Sequence, residues 1–125
     1  MYQYKAKLIR VVDGDTVDAM IDCGFSTFKK ERIRLYGIDT PECRTRDKKE
    51  KARGLAAKAR LEELIAEGNN EFIIETSIDK KGKYGRLLGV LYKYPEDASS
   101  FSSTGSYNEK LIAEGHAKKY LGGKK

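Results

Sequence analysis

Two short stretches hold most of the residues whose types and spacing could do chemistry: "DGDTV" at 13–17 and "RLYGIDTPE" at 34–42. If Asp15 opens a strand running to Ile21, it shares its side with Val17, Ala19 and Ile21, the apolar side. Counted the same way, Asp39 shares its side with Ile33 and Leu35. Two carboxylates on inward-facing strand sides are costly unless something positive meets them. Asp15, Asp39, a backbone carbonyl and water would make a hard, oxygen-rich site, which suits calcium better than zinc. His116 is the only histidine, so a histidine-based metal centre or triad is excluded. Arg34 and Arg86 would suit a phosphodiester, because planar guanidinium forks neutralise and orient phosphate oxygens as negative charge builds. Glu42, three residues past Asp39, could accept a proton from a water attacking phosphorus in line. Each feature alone has a plain structural reading in turn chemistry; the joint spacing and the inward placement set the combination apart.

These residues need strands to hold them. Residues 4–12 and 15–22 alternate as two strands, with Asp13-Gly14 as the hairpin turn. A third strand is predicted over 26–38, after a turn at Gly24 and with a bend or bulge at Gly37. The segment 44–53, "RTRDKKEKAR", carries six basic residues and no apolar pattern, and reads as an exposed mobile loop. It is either a solvated charge run or a flap that docks a polyanion. A helix is predicted over 54–67, its apolar stripe made by Ala57, Leu61, Leu64 and Ile65 and its stop by Gly68-Asn69-Asn70. Strands four and five are predicted over 71–78 and 86–94. Ser106 and Glu109 then form a capping box for a short helix ending at Gly115. The expectation is an α+β, mainly β fold: a five-stranded Greek-key barrel of the OB type, with the longer helix between strands three and four and a short C-terminal helix. The whole of 1–125 reads as one domain, with a Ser-rich, partly disordered loop at 97–106 and a loose tail at 122–125.

Composition narrows the partner class. Lys and Arg number 25 against 19 Asp and Glu, a net charge of +6, which favours a polyanionic partner. Cys23 and Cys43 without a secretory signal read as free thiols. No run approaches the length of a membrane span, so the chain is expected to be soluble, cytoplasmic and monomeric.

The order and spacing of "KLIRVVDGDTV", "RIRLYGIDTPE", "KYGRLLGVLY" and "YNEKLIAEGHAKKY" closely resemble the staphylococcal nuclease family. The resemblance implies an OB-fold nuclease that cuts DNA and RNA with little sequence preference and leaves 3′-phosphate ends. Asp15, Asp39 and Thr40 then stand at calcium-binding positions and Glu42 at the proposed general base. Arg34 and Arg86 stand at phosphate contacts, and Lys83, Tyr84 and Tyr120 beside the nucleotide. The sequence departs from the family pattern at Gly82, where Asp is usual, in the longer Ser-rich loop, and in stopping at "GGKK" without the family's last helix. The competing reading is a catalytically silent OB-fold module that binds nucleic acid; a protein-interaction domain has no positive sign in the sequence.

Overall fold

The computed structural model describes residues 2–76, 87–94 and 105–119. Lys83, Tyr84, Arg86, most of the Ser-rich loop, Tyr120 and the tail lie outside the described residues.

Strands β1 (Tyr2–Asp13), β2 (Thr16–Asp22), β3 (Phe28–Leu35), β5 (Glu71–Thr76) and β6 (Leu87–Lys93) close a barrel in the order β1-β2-β3-β6-β5. All pairings are antiparallel except β3 with β6. A two-residue strand β4 (Ile38–Asp39) leaves the barrel and pairs with β7 (Lys118–Lys119), matching Asp39 to Lys118. Helix α1 (Lys48–Ala66) lies between the third and fourth barrel strands and packs on β1 and β5; helix α2 (Tyr107–Ala113) packs on β6 and α1. The expected five-stranded OB-type barrel with one long and one short helix is therefore the fold found.

The barrel fills with the inward sides of the strands. Val17, Ala19, Ile33, Leu35, Phe72, Ile74 and Leu91 form one cluster with Leu61, Leu64 and Ile65 of α1. The predicted helical stripe is the buried face of α1, joined by Gly54. Truncating any of these large aliphatic side chains to Ala would cost about 2–5 kcal/mol in transfer energy and cavity.

Three local expectations need correction. The basic segment is not a loop beyond residue 47, because α1 begins at Lys48. Asp47 caps it by accepting from the Lys49 and Glu50 N–H groups at 2.9 and 3.3 Å. Its first turn and a half lack an apolar stripe because Lys48, Lys49, Lys51 and Arg53 stand in solvent, yet Lys, Glu, Ala and Arg are all good helix formers. The third strand ends at Leu35. Tyr36 and Gly37 (φ +80°) turn the chain, so Asp39 does not share a side with Ile33 and Leu35; Ile38 takes the buried place and Asp39 is half-buried. Asp15 is the second residue of the hairpin loop rather than the first of a strand, since Asp13 pairs with Thr16.

The helix stop at 68–70 works differently from its sequence reading. Asn69 and Asn70, not Gly68, take the left-handed conformation, with φ of 58° and 64°; asparagine tolerates it better than other residues with a Cβ. Ser106 caps α2 as expected, accepting the Glu109 N–H at 3.0 Å, and Gly115 follows its end at φ +82°.

Candidate active site

The first hairpin, the end of β3, β4 and the start of α1 meet at one end of the barrel. Asp15 is 7% exposed, and both its carboxylate oxygens are engaged. Oδ1 accepts from the Thr16 hydroxyl and Oδ2 from the Thr40 backbone N–H, each at 3.0 Å. The Asp15 carbonyl accepts the Leu35 N–H at 2.8 Å, tying the hairpin tip to the end of β3.

Arg34 stands between the two aspartates. Its Nη1 lies 3.4 Å from Asp15 Oδ2, and its Nη2 donates to Asp39 Oδ1 at 3.4 Å. Nη1 also donates to the carbonyls of Leu35 and Ile38, at 3.1 and 2.9 Å. The guanidinium thus stitches the Tyr36-Gly37 turn from inside while it balances both carboxylates. The positive group that one buried and one half-buried carboxylate demanded is this arginine, five residues before Asp39 in the sequence.

Thr40 is 6% exposed, and its Oγ1 is buried without a hydrogen-bond partner. Among the described residues only the Tyr107 hydroxyl shares that condition. A buried hydroxyl left unpaired costs about 1–3 kcal/mol, so Thr40 Oγ1 has hydrogen-bonding or ligating capacity left for a further partner. Glu42 follows on the same segment with its side chain exposed. Its backbone N–H donates to Glu50 of α1 at 3.3 Å.

Two glycines, Gly14, read from sequence only as part of a turn, and Gly54, set how closely this segment is clamped. A Cβ on Gly54 of α1 would fall 2.5 Å from the Glu42 carbonyl oxygen and 2.7 Å from that of Pro41. A Cβ on Gly14 of the hairpin would fall 2.7 Å from Ala57 Cβ and 3.1 Å from Thr40 Oγ1. Helix and hairpin therefore press on residues 40–42 from two sides, and only glycine permits either approach. The available signal was a glycine inside a helical pattern, which marks a packing reason.

Cys43, next along, is a buried free thiol. Burial, and then Asp13 beside it, push its pKa up to about 11, which disfavours the thiolate. Cys23 is free and exposed.

The structure thus brings together Asp15, Arg34, Asp39 and Thr40, with Glu42 on the adjoining stretch. Lys83, Tyr84, Arg86 and Tyr120 lie outside the described residues. Among the described residues no group of three or more His, Cys, Asp or Glu gathers as a metal site, and no helix is long and apolar enough to cross a membrane.

The sequence model of the family described as "Staphylococcal nuclease homologue" matches residues 32–124. The chain belongs to that family. It is 28% identical, over 94% of its length, to an uncharacterised protein of Methanocaldococcus jannaschii, covering 60% of that protein. It is 29% identical, again over 94% of its length, to a protein named micrococcal nuclease from Shigella flexneri, covering 59% of it. With a thermonuclease of Staphylococcus intermedius the identity is 32%, over 87% of this chain and 55% of the relative. The chain thus spans little more than half the length of these relatives. The family match begins after Asp15, but the alignments over 94% of the chain omit too few residues to leave Asp15 out.

Proposed function

We propose that this domain hydrolyses phosphodiester bonds of DNA and RNA. The observation that carries the reading is Arg34 held between Asp15 and Asp39, beside the unpaired hydroxyl of Thr40. Membership of the nuclease homologue family and relatives named as nucleases support it.

The donors gathered here are all oxygens, from two carboxylates and Thr40, which suits a hard divalent cation such as calcium. The orphaned Thr40 Oγ1 fits such an occupant too. Asp15, Asp39 and Thr40 would hold the ion, which when bound supplies Lewis-acid stabilisation of charge on the phosphate oxygens. The protein's own residues do the rest. Arg34, anchored at the Leu35 and Ile38 carbonyls, offers its guanidinium edge to a phosphate oxygen without having to reorganise. Glu42, exposed to solvent, takes a proton from the attacking water. Water adds to phosphorus as the bond to the 5′ oxygen breaks, and the leaving oxygen takes up a proton from solvent, giving a 3′-phosphate and a 5′-hydroxyl. Arg86 is proposed as the second phosphate contact, and Lys83, Tyr84 and Tyr120 as nucleotide contacts.

The decisive experiment is digestion of single-stranded DNA, duplex DNA and RNA by the wild type and Glu42→Gln, with calcium and with a chelator. Calcium-dependent cleavage that drops roughly a hundredfold or more in the variant is the expected result. Salt-sensitive binding with no turnover on any substrate would instead make the domain a silent nucleic-acid-binding module.

A further inference from the structure

The outward sides of β1, β2 and β3 form a second charged region that begins at the candidate site and runs away from it. On β3, Arg34, Arg32 and Lys30 recur at every second residue and face Thr16, Asp18 and Met20 of β2. Strand geometry spaces such neighbours by about 6.8 Å, close to the separation of successive phosphates in an extended single strand. On β1, Lys7 faces Met20 and Arg10 faces Asp18. The register slips between Leu8 and Arg10, so both Arg10 and Ile9, 45% exposed, point outward; bulges commonly re-aim side chains in this way.

Asp18 fixes the middle of this face. It is 7% exposed and accepts from Arg32 Nε and Nη2 at 2.8 and 3.1 Å and from Arg10 Nε at 3.1 Å. Arg32 spends two of its five N–H donors there and Arg10 one, so both guanidiniums are oriented yet keep donors for another partner. A groove lined by Ile9, Arg10, Asp18, Lys30, Glu31 and Arg32 runs between them.

Apolar surface follows the charge. Met20 and Phe28 are exposed, and Phe25 is fully so. Phe25 sits in a turn where Gly24, Phe25 and Ser26 all have positive φ, at 83°, 55° and 59°. Such a conformation is costly for a bulky residue and collects at functional positions. The turn is closed by Cys23 N–H to Thr27 O at 2.8 Å and Thr27 N–H to Gly24 O at 2.9 Å.

We infer that this face is a docking track for the single-stranded nucleic acid flanking the bond to be cut, with Arg32, Arg10, Lys30 and Lys7 following the phosphates and Phe28 and Phe25 stacking on unpaired bases. Cations that continue in step from Arg34 and lead to exposed aromatic rings at the far end of β3 are the combination that single strands require. A duplex, whose bases are already stacked, would leave the rings unused. The track rests on the phosphodiesterase reading for its direction, since it places the scissile phosphate at Arg34.

The test compares kcat/KM on a long single-stranded oligonucleotide and on a dinucleotide, for the wild type and for Lys30→Glu combined with Lys7→Glu; both lysines are exposed. The long-to-short ratio is expected to fall roughly tenfold, and Phe28→Ala to lower it by a similar factor, since stacked aromatics contribute on this scale. In a Glu42→Gln background, fluorescence anisotropy of the labelled oligonucleotide should show the salt slope shrinking by about 0.7 for each phosphate contact removed. A ratio and a slope that both stay at wild-type values would overturn the track. Binding that favours duplex over single strands would overturn it as well. Wild-type protein that cuts neither substrate, yet shows the variant-sensitive slope, would overturn the hydrolysis reading and uphold the track.

Discussion

Asp15 and Asp18 are two buried carboxylates, three residues apart on one hairpin, and each meets an arginine of β3, but the two pairs are built to opposite ends. Asp18 receives three guanidinium hydrogen bonds at 3.1 Å or less. The nearest, from Arg32, hold its pKa down at about 2. Asp15 takes its close contacts from a hydroxyl and a backbone N–H, while Arg34 stays at 3.4 Å and divides itself among two carboxylates and two carbonyls. A saturated pair stores its energy in stability; a divided one keeps a cation positioned but not spent. On the proposed reading, the difference separates a surface that would orient nucleic acid from a centre that would act on it.

Arg34→Ala is the change that would disturb this contrast most. It leaves Asp15 and Asp39 without their shared cation and two carbonyls without a donor. Hydrolysis is expected to fall a hundredfold or more, with a loss of about 3 kcal/mol in urea unfolding, the scale for breaking a buried pair on one side. Undiminished turnover would show that the guanidinium is only a staple of the turn.

Gly54→Ala attacks the same centre from behind. Its Cβ meets backbone, not a flexible side chain, so the Pro41-Glu42 segment or the helix must shift, at about 1–3 kcal/mol. The expected signature is a drop in kcat greater than the change in KM, because Glu42 is displaced while the outer face is untouched; equal changes in both would speak against it.

The saturated pair is sharpened by pH. The folded pKa of Asp18 is below its ordinary 3.8, at about 2, so its stabilisation is complete above about pH 4 and is lost as pH falls through 2. The two arginines are about half exposed, and solvent screening trims the effect to about 1–2 kcal/mol. Asp18→Asn should flatten the stability profile between pH 4 and 2, measured by thermal unfolding. A profile as steep as the wild type's would assign the acid sensitivity to other carboxylates. The smallest change expected is Arg10→Ala, at under about 1 kcal/mol, since its side chain is 56% exposed and Arg32 still holds Asp18; a larger loss would mean the two arginines act as one unit.

The barrel could be read from sequence because its strands and its helix obey fixed periods: Val17, Ala19 and Ile21 alternate, and Ala57, Leu61, Leu64 and Ile65 recur at helical spacing. The helix start at Lys48 escaped because period reading needs an apolar face, and that turn has none to bury. Asp39 was brought to the right place by the wrong route, since counting residues along a strand cannot see the turn at Tyr36 and Gly37. Gly14 and Gly54 could not be recognised as a clamp, because the closeness of hairpin and helix to residues 40–42 is a property of the fold. The Asp18 cluster has no local sequence signal, since only register reveals that Arg10 and Arg32 converge on one carboxylate.

The pairing of Asp39 with Lys118 has a bearing on the order in which the molecule is made. Synthesis runs from the N-terminus, so a ribosome-bound chain exposes Asp15, Arg34 and Asp39 long before residues 118 and 119 emerge. Until they do, β4 has no partner strand, and α2, whose Asn108 side chain donates to the Tyr36 carbonyl at 2.7 Å, cannot brace the turn that Arg34 stitches. The turn around Tyr36 and the short strand at Asp39 therefore gain these two braces only after residues 108 and 118–119 are translated.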